Sequence, residues 1–345
     1  MNLKPHHSFL SIQSARPIGF KSRNRLRVLL SAALIAFTVS MPISGYTATF
    51  PDKAVNVMMP WADGFPANSA RLYADELGHA YGQPFVVQPR PGAGGEVAAK
   101  HVMSATADGY TLLVTGSSIT IRGATNEKNA DGERDLQPIA QITTSPYVLV
   151  APSGRFKSFA SFIDAAKTSP GELNFASAGI GTGMHYLGEM INVSAGVKTV
   201  HVPYPTGSRQ LQAVLAGDVD IAIISLVTAL PQIRAGKLDA LAVSSTERSK
   251  VASEIPTLVE SGLKDIPSVG AWIAIFGPKG MNPAIVDDLS RKIAVIAKDP
   301  KTIERVTSWG AEIPDTSTSH LKNVIREEKS FWKKLVEEQN LPVGS

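Results

Sequence analysis

The residues best equipped for chemistry lie in three loops, each leading into a stretch of helical spacing. The first is Pro60-Trp61-Ala62-Asp63-Gly64-Phe65-Pro66-Ala67-Asn68, which sets an aromatic, a glycine and a carboxamide beside a helix start. The second is Ser177-Ala178-Gly179-Ile180-Gly181-Thr182-Gly183, running into His185. The third is Arg90-Pro91-Gly92-Ala93-Gly94-Gly95. A helix N-terminus offers unpaired N–H groups and the positive end of the helix dipole, so such loops suit the capture of a carboxylate or phosphate. Three alternating glycines leave the second loop's backbone bare enough for that task. The third loop reads better as a set of tight turns.

Other chemistries find less support. Gly179-x-Gly181-x-Gly183 places its third glycine one residue too early for a dinucleotide fingerprint, and no acidic residue follows the next strand. There is no Walker A sequence, H-E-x-x-H, G-x-S-x-G or grouped metal ligands, so neither cofactor nor metal is expected. The absence of cysteine excludes disulfides and thiolate chemistry. His185, at a helix start, either donates to a ligand or satisfies its own loop, while His201 reads as a structural strand residue. Trp61 and Trp272 are pocket walls or plain core. Tyr204, just after a strand, is a better polar handle for a cleft. An enzyme, for example a hydrolase of small esters, would have to pair Ser177 or Thr182 with His185.

The elements that must position these loops alternate between strand and helix. Ala54–Met59, Phe85–Val87, Thr111–Val114, Pro146–Val150, Asn174–Ala176, Thr199–Val202, Ile221–Ile224, Leu241–Ser244 and Trp272–Phe276 read as strands. Helices are predicted over Pro66–Tyr81, Glu96–Ala105, Ser158–Lys167, Met184–Val193, Ser208–Ala216 and Pro283–Lys298, with a last helix striped by Leu321, Val324, Ile325, Trp332, Leu335 and Val336. Such alternation predicts an α/β fold whose parallel strands are covered by helices, with ligands held at the strands' carboxyl ends. A polar, charged segment around Asn126–Asp135 has no evident role.

The chain has 345 residues, 43% hydrophobic and 19% charged, which suits two domains and excludes disorder as the main state. Its formal charge of +4 is misleading. Six of the 34 Lys+Arg residues lie in 1–49, which lacks Asp and Glu, leaving 28 against 30 acidic residues in the body. No basic footprint for nucleic acid remains. Lys21, Arg23, Arg25 and Arg27 precede the twelve-residue apolar run Val28 to Val39, then Pro42 and small or polar residues. That order predicts an export signal at 1–49, cleaved between about Gly45 and Thr49, and the run is too short to span a bilayer comfortably. The mature protein is then expected in the periplasm, not embedded in the membrane.

The segments FPDKAVNVMMPWADG, GQPFVVQPRPGAGGEVAA, ADGYTLLV, NFASAGIGTGMHYLGE, HVPYPTG, LAGDVDIAI, LPQIRAGKLDALAVSS and EIPTLVESG follow one another in order. Together they resemble the substrate-binding proteins of tripartite tricarboxylate transporters, the Bordetella uptake family. The resemblance implies a type II periplasmic-binding-protein fold, in which two doubly wound α/β lobes are joined by two crossover strands near Tyr147–Pro152 and Trp272–Phe276. Lobe one would combine 50–150 with 272–345, and lobe two would be 151–271. A monomeric, non-enzymatic receptor would hold a small organic anion, usually a carboxylate, between the lobes and deliver it to a membrane permease. A ligand-input protein for a signalling system is the alternative. Ligand residues would come from the first loop (Trp61, Gly64, Phe65, Asn68) and the second (Ser177, Gly181, Thr182, His185), with Ser117, Ser118, Tyr204 and Ser225 around the cleft. Phe65 stands where the family has a second glycine, Asn68 where Asp is frequent, and Tyr186 where Leu is usual.

Overall fold

The computed structural model describes residues 50–62, 64–263 and 268–339. The expected export signal at 1–49, its expected cleavage window and Asp63 of the first loop lie outside those residues. The N-terminal part alternates β1 (Val55–Met59), α1 (Gly64–Tyr81), β2 (Phe85–Pro89), α2 (Glu96–Met103), β3 (Thr111–Gly116) and α3 (Ser118–Thr125). Then come β4 (Leu136–Pro152), α4 (Phe159–Thr168), β5 (Asn174–Ser177), α5 (Gly183–Ala195), β6 (Val200–Pro203), α6 (Gly207–Ala216), β7 (Ile221–Ser225), α7 (Leu226–Arg234) and β8 (Leu238–Val243). The last elements are β9 (Gly270–Pro278), α8 (Pro283–Ile296), α9 (Pro300–Ser308) and α10 (Thr318–Gln339). Strands such as β3 and β7 are buried almost throughout, because helices cover both faces of their sheet.

The strand order is β2-β1-β3-β9-β4-β7-β5-β6, with β8 also on β4. The β2–β1, β1–β3, β7–β5 and β5–β6 pairs are parallel, whereas β4 and β9 run antiparallel to their neighbours. The 17-residue β4 joins the two lobes. It pairs with β9 from Leu136 to Pro146, then from Tyr147 onward with β7 on one edge and β8 on the other. Only the end of β4 was expected from sequence, since its first half is polar and carries Pro138 and Pro146. Pro138 lies at a bulge and Pro146 where the partner changes, positions at which a missing N–H is tolerated. The short α3 and α9 were likewise not expected.

Helix α10 fastens the lobes from outside, using the predicted stripe. Leu321 and Ile325 pack with Trp272 and Phe276 of β9. Trp332, almost fully buried, packs with Tyr186 of α5 and Phe175 of β5, its ring 5.5 Å from that of Tyr186. The charged segment after α3 now has a role. Asp131 accepts N–H bonds from Glu133 and Arg134 and pairs with Lys329, while Glu133 pairs with Arg326 of the same helix. Burial works against the Asp131 charge, but those two N–H groups and the Lys329 ammonium outweigh it and hold the carboxyl below its usual range.

Asp131→Ala removes the acceptor of two N–H groups and the partner of a half-exposed lysine, so it should cost about 1–3 kcal/mol in urea unfolding. Trp332→Ala should cost about 3–5 kcal/mol through the cavity it opens. A midpoint for Asp131→Ala matching that of an exposed control, Lys167→Ala, would remove the clamp assigned to the segment.

Candidate ligand-binding site

Four loops follow the carboxyl ends of parallel strands β1, β3, β5 and β7, and each enters a helix. In the first, α1 starts at Gly64, two residues earlier than predicted. Gly64 has φ +80°, a conformation that a residue with a Cβ adopts only under strain. Pro66 falls in the first turn, where its lost N–H has no helical partner anyway. Arg71 donates to the Ala62 carbonyl at 2.7 Å and fastens the loop. Trp61 and Phe65 are half-buried against the first-lobe core, and Asn68 is exposed.

The loop after β3 packs on β9 and reaches β4. A Cβ on Gly116 would come within 2.7 Å of the Trp272 carbonyl and 3.5 Å of the Trp61 indole, so only glycine allows this approach. Ser117, buried, donates its N–H to the Trp272 carbonyl at 3.2 Å, and Ser118, half-buried, begins α3. The Ser117 side chain is hydrogen-bonded to Tyr147 of β4. On its other side the Tyr147 hydroxyl lies 2.8 Å from where a Gly183 Cβ would stand, at the start of α5. One buried phenol thus lies between the first turns of α3 and α5. Burial pushes its pKa up, the Ser117 hydrogen bond partly opposes this, and the charge of Glu328 adds to the rise. Tyr147 therefore stays protonated and can donate.

The loop after β5 is internally bonded. Ser177 is fully buried, and its Oγ accepts the Gly179 N–H at 3.0 Å and lies 2.6 Å from His201 Nε2. Thr182 caps α5 by accepting the His185 N–H at 3.3 Å. Gly181 donates its N–H to His185 Nδ1 at 3.3 Å, which places the imidazole proton on Nε2, 3.9 Å from Glu189 Oε1. The rings of His185 and His201 stand 4.2 Å apart. Burial pushes both imidazoles down to about 4, with His201 adding to the effect on His185, so both are neutral at pH 7. Tyr204 donates its N–H to the Ser177 carbonyl at 2.9 Å. Ser225, opposite Tyr147 in the β4–β7 register, has its Oγ 3.2 Å from Ser145 Oγ.

Trp61, Ser117 and Tyr147 are thus linked to the start of α5, and Ser177, Gly181, Thr182, His185 and Tyr204 form one hydrogen-bonded loop. Phe65 and Asn68 are not joined to these contacts. The pairing of Ser177 or Thr182 with His185 as nucleophile and base is not formed, because Ser177 bonds His201 and the Thr182 hydroxyl serves as a helix cap. His201 is more than an isolated strand residue, since it holds the loop's serine. Tyr147 escaped notice among the apolar residues of β4. Its signal was a phenol whose hydroxyl needs a partner once buried. Glycines of the third loop make turns, and Gly94 backs onto Arg122.

A family model described as tripartite tricarboxylate transporter family receptor matches residues 69–341. The chain belongs to this receptor family. Its curated relatives include a UPF0065 protein encoded between tcbD and tcbE in Pseudomonas sp. strain P51, 30% identical over 92% of this chain and 95% of that protein. Protein BugT of Bordetella pertussis is 29% identical, over 91% and 97% of the two chains. Among solved structures, MatC of Rhodopseudomonas palustris with bound malate is 30% identical, with a TM-score of 0.73 over 83% of this chain and all of that one. An R. palustris protein solved with adipate is 26% identical, with a TM-score of 0.77 over 86% of this chain and all of that one. The two-lobe periplasmic-binding-protein fold follows, and the family is one of substrate-binding receptors rather than enzymes. No helix among the described residues of this receptor is long and apolar enough to cross a membrane.

The neutral His185–His201 pair makes stability depend on pH. In the unfolded chain both would titrate near 6.5, so below that pH the unfolded state gains protons that the folded state refuses. Their contribution is complete above pH 6.5 and is lost as pH falls toward 4. His201→Gln, which can keep a bond to Ser177, should flatten the fall in melting temperature between pH 6.5 and 4.5. Identical slopes for parent and variant would contradict the assignment.

Proposed function

We propose that this chain is an exported receptor that captures a small organic carboxylate between its lobes and delivers it to a membrane permease. The observation that carries the reading is the meeting of two helix starts at one buried hydroxyl. The first turns of α3 and α5 flank Tyr147, so N–H groups and dipole ends from both lobes converge where an anion can be held. The imidazoles behind the second loop are neutral, so this region supplies hydrogen bonds and helix dipoles rather than cationic side chains. Relatives solved with malate and adipate support a carboxylate as the ligand class.

The proposed contacts are Trp61 and Gly64 from the first loop, Ser117 and Ser118 at α3, Gly181, Thr182 and His185 at α5, and Tyr204 and Ser225 at the rim. Ser177 acts by holding the loop. Phe65 and Asn68, where this chain departs from the family, set the width and polarity of the first-loop wall. The lobes divide as 50–150 with 272–345, and 151–271, residues 1–49 being an export signal. A ligand that touches both lobes favours the closed arrangement by as much as it prefers that arrangement, and closure presents a surface to the permease.

The mature chain, refolded to remove any co-purified solute, should show a saturable rise in melting temperature with malate, adipate or a related di- or tricarboxylate. At a hundredfold excess over Kd the stabilisation would be about 2.7 kcal/mol. Tyr147→Phe should weaken the best ligand roughly tenfold, about 1.4 kcal/mol, without altering far-UV circular dichroism. A panel of organic acids that all leave the melt unchanged would overturn the carboxylate reading. A response confined to neutral or aromatic compounds would mean that Phe65 and Asn68 have redirected the pocket.

A further inference from the structure

One buried carboxyl takes no part in the contacts assigned to the ligand. Glu328 stands midway along α10, and its Oε1 accepts the Trp272 indole N–H at 3.0 Å. Trp332, one turn further along the helix, directs its indole N–H to the same carboxyl. The second oxygen, Oε2, is sealed from solvent. An indole offers one hydrogen and no acceptor, so a buried tryptophan turns until that hydrogen meets a partner. Glu328 therefore fixes the orientation of two large rings at once.

Each ring backs one of the helix starts that meet at Tyr147. The last ladder pair between β3 and β9 is Gly116 with Ile273. One step beyond it, the Trp272 carbonyl accepts the Ser117 N–H at 3.2 Å. From Ser118 the chain turns into α3, so no further rung of the ladder supports that bond. The Trp272 indole packs in one cluster with Ile119 of α3 and with Leu321 and Ile325 of α10. Its orientation thus governs where β9 presents the carbonyl that holds Ser117. Trp332 in turn packs on Tyr186, which follows His185 in α5 and bonds Thr125 at the end of α3. Burial raises the Glu328 carboxyl to about 8, opposed by the two indole bonds, so at pH 7 it is mostly neutral and accepts through its carbonyl oxygen.

We propose that Glu328 is a positioning residue for the anion site, setting the first turns of α3 and α5 by holding Trp272 and Trp332 behind them. It does not touch the ligand itself. This assignment rests on the cleft being the carboxylate site proposed above.

Glu328→Leu removes the acceptor, whereas Glu328→Gln keeps a carbonyl for Trp272. Ile163→Ala, a change at a buried position of α4 outside these contacts, controls for a general loss of stability. Two quantities are measured on the mature chain refolded free of solute: calorimetric affinity for malate and adipate, and amide exchange at Ser117 by NMR without either acid. Glu328→Leu should weaken the better-bound acid roughly tenfold and speed Ser117 exchange by a similar factor. Glu328→Gln should bring both back to within about threefold of the parent. Ile163→Ala should lower the melting temperature and leave the affinity unchanged. Trp272→Phe, which deletes the donor and keeps an aromatic ring, gives the same readings should Glu328→Leu fold poorly. Parent-like affinity or parent-like Ser117 exchange in the Leu variant would overturn the proposal, as would losses no larger than those of Ile163→Ala. Equal losses in the Leu and Gln variants would overturn it too, because the acceptor would then not be what matters. A parent that binds neither acid would instead sink the carboxylate reading, and Ser117 exchange alone would then decide whether Glu328 sets the start of α3.

Discussion

A phenol hydroxyl buried at the junction of two lobes must find its partner on one side or the other, and in this protein it meets both. Tyr147 lies where β4 leaves β9 and takes up β7 and β8, so its position is fixed by two sets of ladder bonds. The hydroxyl bonds Ser117 at the start of α3 and touches the start of α5 at Gly183. Gly183 lacks a side chain where a Cβ would meet the Tyr147 hydroxyl, and Gly116 lacks one where a Cβ would meet the Trp272 carbonyl. The convergence of two helix N-termini, and hence the character of the cleft, depends on that contact.

The rest of the structure holds the geometry in place. Tyr186 bonds Thr125 of α3 and packs on Trp332 of α10, adding a link between distant segments. The charged segment 126–135 anchors the same helix through Asp131 and Glu133. Behind the second loop, the Ser177–His201 bond and the two imidazoles, in contact at a tilt of 34°, form a backing. That backing stays uncharged because burial costs an imidazolium more than it costs a neutral ring.

Much of the fold is legible in the sequence. The strand–helix alternation, the stripe on the last helix, and the two loops at strand ends all rest on local periodicity and on glycine placement. The resemblance carried by segments such as NFASAGIGTGMHYLGE led to the family to which the chain belongs. What escaped was the first half of β4, where Pro138 and a polar stretch mask a strand that tolerates proline at a bulge. Tyr147 escaped too, since nothing in the run PYVLV distinguishes a core phenol from one at a crossover. The structural role of His201 is legible in the sequence, but its partner is not, because Ser177 lies 24 residues away along the chain.

By itself, then, the sequence determined the α/β class, the order of its elements, the anion-suited loops and the charge separation between the first 49 residues and the body. Those properties are local: helical and strand periods, turn chemistry and charge are written within a few residues of where they act. Only the tertiary structure decided which loops face one another, which hydroxyl lies between them, and that the imidazoles are neutral. Those properties depend on burial and on contacts between distant segments, and the free energy of a polar atom is set by the neighbours it meets when water is removed.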